Sequence, residues 1–377
     1  MKTPIRSSLL FLTVTSVFVV NLAWSQSSIS GRYAVVESSS AYADAIARAR
    51  ADVEVLMEAG APGVSIAVGV DDELVWAEGF GFADVENAVP VTTQTKFRVG
   101  SVSKTMTSIA LGILYEEGMI DLDMPIQQYV PGFPVKEKGT VTTRLLASHR
   151  AGIRHYLPDM SDNYVQEHYD DVIDALEIFA DDPLLAVPGD EYSYSSHGYN
   201  LLSAVLQEAS GVEFLTLMRE RVFSPLKLIE TVADHTDYIV TGRAAPYALR
   251  DGRLINAPFV DNSYKWAGGG FISTPSDLVK FGFGVFHSGI LKEETIDLLL
   301  SPPLLPNGTV AEQNYGLGWM TFSEEGPWVG HTGGSVGGNT LFTMNPNEGV
   351  VVAVVCNLSG CLGSNPDLRS IGNYFLE

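Results

Sequence analysis

Cysteine is almost missing from this 377-residue chain, which has only Cys356 and Cys361. With no histidine pair beside them they do not make a zinc-type ligand set. Two readings stay open: a small loop disulfide in an exported protein, or a buried strand thiol followed by a free loop thiol. Positive charge is scarce as well, with 23 lysines and arginines against 45 acids and a formal net charge of −22. Such a surface repels phosphate backbones and anionic lipid, which argues against nucleic-acid and membrane-surface binding. A long apolar run occurs only at the start, where Lys2 and Arg6 precede a stretch from Leu9 to about Ala23 that ends in Ala23-Trp24-Ser25-Gln26. Residues 1–25 therefore read as a secretory signal, cut after about Ser25, with secreted or periplasmic localisation; a retained anchor helix is the alternative. Losing Lys2 and Arg6 takes the charge from −22 to about −24, and nothing later is long and apolar enough to insert in a membrane.

What the chain has is a change of pattern along its length. Residues 39–58 carry helical periodicity, and Val64–Val70 and Leu74–Phe80 flank Asp71-Asp72-Glu73 as a β-hairpin. A helix is expected over 103–118. Between 140 and 260 the stretches Thr142–Ser148, Val172–Phe179, Asn200–Ala209 and Glu213–Val222 are helical, separated by loops with proline and glycine. After Ala267-Gly268-Gly269-Gly270 come strand Phe271–Ser273, helix Asp277–His287, and strands Trp328–Gly330, Asn339–Met344 and Val350–Asn357. An amphipathic helix from about Asp367 closes the chain. The expected fold is α+β. Residues 26–90 and 266–377 form an α/β domain with an antiparallel sheet flanked by helices, a mainly helical domain (91–265) is inserted, and the active site lies between them.

Three segments carry chemistry. Ser101-Val102-Ser103-Lys104 opens an apolar helix, so Ser101 and Lys104 share one face, and a desolvated lysine can take the proton that a serine nucleophile must lose. Tyr194, in Tyr192-Ser193-Tyr194-Ser195-Ser196-His197, stands just before another apolar helix, where a phenol can reach into a cleft and relay protons; a loop aromatic packed on its neighbours is the alternative. Gly330-His331-Thr332-Gly333-Gly334 suits an edge strand that aims a backbone N–H at an oxyanion, or a flexible glycine-rich turn, which leaves the His-Thr pair unexplained. His149 and His155, around a glycine turn, read as structural histidines satisfied by loop carbonyls. His168-Tyr169-Asp170-Asp171 reads as a solvated face rather than a metal site.

In this order, Ser101-x-x-Lys104, Tyr194-Ser195-Ser196 and His331-Thr332-Gly333 resemble the S-x-x-K, Y-x-N and K-T-G or H-T-G motifs of the penicillin-recognising serine hydrolases. The tyrosine motif is similar to the class C β-lactamase, D,D-peptidase and esterase branch. Gly152-Ile153-Arg154-His155-Tyr156 resembles the mitochondrial serine β-lactamase-like members. The resemblance runs from about residue 60 to about 357 and includes Gly268-Gly269-Gly270-Phe271-Ile272-Ser273-Thr274 and Tyr315-Gly316-Leu317-Gly318-Trp319. It implies a β-lactamase/transpeptidase-like fold and Ser101 as acylating nucleophile, with Lys104 and Tyr194 sharing the base and acid roles. It also implies an oxyanion hole from the N–H groups of Ser101 and Gly334, and His331 orienting substrate. A small-molecule or peptide substrate is implied, with no cofactor and no metal. Two departures bear on substrate: Ser196 replaces the expected asparagine, and His331 replaces the lysine that would grip a carboxylate. Arg150-Ala151 also replaces the usual Thr-Ser after His149. A peptidase or carboxylesterase is thus expected ahead of a β-lactamase. A non-catalytic binding or assembly protein on the same scaffold is the reading from another class.

Overall fold

The computed structural model describes residues 32–305, 308–311, 314–322, 327–363 and 368–377; the expected signal segment 1–25 and Asp367 lie outside them. The frame is an antiparallel sheet whose strands are β1 Arg32–Ser38, β2 Gly63–Val70, β3 Glu73–Asp84, β4 Met320–Phe322, β5 Trp328–Ser335, β6 Gly338–Asn345 and β7 Val350–Cys356. Their spatial order is β1-β3-β2-β7-β6-β5-β4. The two ends of the chain therefore meet in mid-sheet, where β7 pairs with β2 from Val350↔Val70 to Cys356↔Val64. The reason is legible in β7: every residue of Val-Val-Val-Ala-Val-Val-Cys is buried. A β-branched run with both faces covered suits a central strand.

The period-two alternation of β7 splits its side chains between two cores. Val350, Val352, Val354 and Cys356 face one core, with Ile46, Ala49, Val53 and Leu56 of helix α1 (Ala43–Glu58) and with Ile371 and Phe375 near the C-terminus. Val351, Ala353 and Val355 face the other, with Leu278, Phe281 and Val285 of helix α4 (Pro275–His287). That second core continues through helix α2 (Ser103–Glu116) and helix α3 (Ser196–Ser210), taking in Met106, Ile109, Leu202 and Val205. The helical layer and one face of the sheet thus share a single apolar interior. The α+β class expected from the sequence is the one observed.

Several expected elements differ in detail. The segment 174–178 is a tight 3₁₀ turn rather than part of an α-helix, and Phe214–Met218 passes into a π-helical turn over Arg219–Phe223. Strand β1 and the hairpin Tyr247–Arg250/Arg253–Asn256 were not expected. The two-residue turn of that hairpin, Asp251-Gly252, has both residues at positive φ (52° and 72°), the chemistry of a tight hairpin. Strand β5 runs to Ser335, well past the Gly330 end expected for it. Cys356 and Cys361 are joined as a disulfide.

Candidate active site

The nucleophile turn follows the short strand Phe97–Arg98. Gly100 turns the chain there at φ +52°, and a Cβ on it would lie 2.6 Å from Gly334 O of β5. Only glycine combines that backbone with so close an approach. Ser101 therefore sits one residue beyond the turn, at the entry to α2, with β5 alongside. At Gly333 a Cβ would overlap Val99 O and lie 3.3 Å from Ser101 N, whereas at Gly334 it would meet nothing within 4 Å. Strand β4 covers β5 only from Trp328 to Gly330, so beyond that point β5 presents its outer edge to the nucleophile turn. His331-Thr332-Gly333-Gly334 is thus strand, not a flexible turn.

Around Ser101 Oγ two side chains converge. Lys104 Nζ is hydrogen-bonded to it at 3.0 Å, and Tyr194 Oη donates to it at 2.8 Å. The Lys104 amine also donates to Ser196 Oγ at 3.1 Å and to Gly268 O at 2.6 Å. Lys104 is fully buried. Burial, and secondarily the charge of Lys265, holds its pKa well below the ordinary value of 10.5. Burial moves the Tyr194 phenol the opposite way, upward, against the weaker pull of its bond to Ser101. Tyr194 reaches this position because Ser195 caps α3, its Oγ accepting from Gly198 N at 2.9 Å, which leaves the residue before the cap over the helix start. Ser196, at the first position of that helix, supplies the side-chain oxygen that an asparagine was expected to supply.

Behind this trio runs an ordered hydrogen-bond chain. His331 Nδ1 faces Thr332 O at 2.5 Å, so it carries the proton and leaves Nε2 as acceptor. Tyr315 Oη, 3.0 Å from that Nε2, donates to it and accepts in turn from His149 Nε2, also at 3.0 Å. His149 Nδ1 accepts from Ser195 N at 3.1 Å. Every group is satisfied with both imidazoles neutral. Burial first, then Lys104, lowers His331 to about 3 and pushes His149 well below its ordinary value. His331 is therefore a neutral hydrogen-bonding ring.

The expectation that loop carbonyls satisfy His149 and His155 is corrected here. Both accept from the backbone N–H groups that lead into α3, His155 Nδ1 from Ser196 N at 3.1 Å. His155, lowered to about 4 mainly by burial and then by Lys104, lines the same cavity as Ser101, a space of about 280 Å³. Tyr194, Ser196, His331, Thr332 and Gly334 also line it, so the residues singled out from sequence gather at one site; Lys104 reaches it from beneath and Gly333 from the strand behind. Sequence reasoning missed Tyr156, Lys265 and the carbonyl of Gly268. A signal for Lys265 was present: a lone cation inside Tyr264-Lys265-Trp266, in a buried segment.

Comparison with known proteins agrees with this geometry. The family model described as Beta-lactamase matches residues 44–369. The mitochondrial serine beta-lactamase-like protein LACTB of Homo sapiens is 33% identical, over 84% of this chain and 77% of its own length. Penicillin-binding protein 4* of Bacillus subtilis is 26% identical, over 71% of this chain and 62% of its own. Among solved structures, the octameric penicillin-binding protein homologue from Pyrococcus abyssi superimposes with a TM-score of 0.73 at 26% identity, covering 88% of this chain and 76% of that one. With the motif order, the fold and a match across most of its length in agreement, this chain belongs to the beta-lactamase family.

Proposed function

We propose that this protein is a serine hydrolase that cleaves an amide or ester bond through an acyl-enzyme on Ser101. The observation that carries the reading is the double contact on Ser101 Oγ, with Lys104 Nζ at 3.0 Å and Tyr194 Oη at 2.8 Å. A neutral amine has two N–H groups and one lone pair. The two N–H groups are committed to Ser196 Oγ and Gly268 O, which leaves the lone pair toward the Ser101 hydroxyl. A lysine with a lowered pKa can be neutral near physiological pH, and a phenol with a raised one stays protonated. Lys104 is accordingly the base that takes the Ser101 proton as Oγ bonds to the carbonyl carbon. Tyr194 keeps its hydrogen through attack and relays the proton to the leaving group as the acyl bond breaks. Water then repeats the sequence on the acyl-enzyme. The N–H groups of Ser101 and Gly334 receive the oxyanion, a contribution of about 3 kcal/mol for a single donor.

The preferred substrates are small or D-amino-acid peptides and carboxylic esters, ahead of β-lactams. His331, held neutral, offers no fixed cation where the family's lysine would stand. Export, with cleavage after about Ser25, completes the proposal; N-terminal sequencing of the mature protein checks it.

The decisive experiment is labelling with a fluorophosphonate probe. The wild type is expected to label and Ser101→Ala is not; equal labelling of both removes Ser101 as the nucleophile. Turnover of nitrocefin, short-chain esters and D-alanyl peptides, measured side by side, ranks the substrates, and fast nitrocefin turnover would reverse the ranking.

A further inference from the structure

The proposed reaction leaves one cation of the cavity without a task. Lys265 is 3% exposed and lines the same cavity as Ser101. It lies on the helical turn Ser263–Lys265, which leads directly into the segment whose Gly268 carbonyl holds Lys104. An ammonium has three hydrogens to donate. Among the described residues its one hydrogen-bond acceptor is Asn163 Oδ1, at a long 3.3 Å, and its other close partners are the ring faces of Tyr264 and Tyr156, 4.9 and 5.7 Å away. The charge of Asp234 reaches Lys265, but no carboxylate forms an ion pair with it among the described residues. Asp234 binds Arg98 at 2.7 Å, Arg243 at 3.1 Å and Asn262 Nδ2 at 2.8 Å. Asp162 binds Arg154 at 2.5 Å, His197 at 3.0 Å and Leu157 N at 2.8 Å.

A buried ammonium with no carboxylate in contact is costly in an empty pocket and rewarded by an anion that enters it. We propose that Lys265 is the recognition point for an anionic group of the substrate, a carboxylate carried on the scissile ester or amide, in a pocket where His331 has given up that role. The proposal rests on the hydrolase reading and names the substrate class of the same site. Burial, with Arg98 adding to it, lowers Lys265 to about 7, so an incoming carboxylate also favours the ammonium form. The acidic exterior of the chain does not steer anions inward, so the preference is made by contact inside the cavity.

The test uses three boronic acids, each of which forms a reversible Oγ–B bond with an active serine: phenylboronic acid and its 3- and 4-carboxy derivatives. Affinities are measured by calorimetry on the full-length wild type, Lys265→Met, Lys265→Gln and Ser101→Ala. The wild type is expected to bind at least one carboxy derivative about tenfold or more tightly than the parent, the scale of a desolvated charge-assisted bond. In Lys265→Met or Lys265→Gln that preference falls to within about twofold, while the parent acid still binds in a Ser101-dependent way and reports a folded site. Equal binding of all three acids by the wild type, or a preference that survives in a variant, overturns this proposal and leaves the hydrolase reading in place. Failure of every acid to bind in a Ser101-dependent way overturns the hydrolase reading, and this proposal with it.

Discussion

Replacing Tyr315 by phenylalanine removes one oxygen and severs two hydrogen bonds at once. The phenol bridges His149 Nε2 and His331 Nε2, each at 3.0 Å, and all three side chains are 3% exposed or less. Without Oη, His149 keeps a buried N–H with no acceptor and His331 a buried lone pair with no donor. Each orphaned group costs about 1–3 kcal/mol, so Tyr315→Phe should lower the unfolding free energy by about 2–6 kcal/mol. Both imidazoles are accepted in neutral form, which adds a pH signature. In the unfolded chain a histidine begins to take up protons below its ordinary 6.5, whereas folded His331 resists until about 3. The folded pKa is depressed, so this contribution is complete above 6.5 and is lost as pH falls from there toward 3, by about 1.4 kcal/mol per pH unit for that group. Urea unfolding at pH 7.5 and at steps down to 4.5 measures both effects through the midpoint, provided the slope is unchanged. A loss below about 1 kcal/mol for Tyr315→Phe at pH 7.5 would refute the satisfied-chain argument.

The glycines of β5 give a paired prediction: Gly333→Ala should lose melting temperature and fluorophosphonate labelling together, because its methyl overlaps Val99 O, while Gly334→Ala retains both. Lys104→Ala and Tyr194→Phe should lower kcat by about 10²–10⁴ with the fold retained by circular dichroism, and near-normal turnover in either denies it a proton-transfer role. The acidic limb of kcat/KM should fall well below pH 10.5, since Lys104 must be neutral to act and burial depresses its pKa; a limb near 10.5 would show that its burial leaves the amine an ordinary lysine.

The motifs put Ser101, Lys104, Tyr194 and His331 in order, and periodicity found α1, the β2–β3 hairpin and strands β6 and β7. Local pattern suffices there, because a serine and a lysine three apart on a helix meet whatever surrounds them, and a run like that of β7 has few places to go. The misreadings fall where a partner is distant in sequence. His149 and His155 looked like loop histidines because their donors, Ser195 N and Ser196 N, lie more than forty positions away. Tyr315 was visible inside Tyr-Gly-Leu-Gly-Trp but had no role until the fold set it between two imidazoles. The character of Lys265 depends on which acids are already occupied, and that is a property of the packed interior. Strand β1 has too short an alternation to stand out alone, and gains its place by pairing with β3.

The Tyr315 bridge also has a mechanical consequence. One of its histidines belongs to β5, and the other, His149, accepts from Ser195 N in the segment that presents Tyr194, so the bridge fastens one wall of the cleft to the other. Separating them by about 1 Å would break one bond outright or stretch both to the edge of hydrogen-bonding range. The spacing of the walls beside Ser101 is therefore fixed by the packed interior, as a spacer fixes a gap.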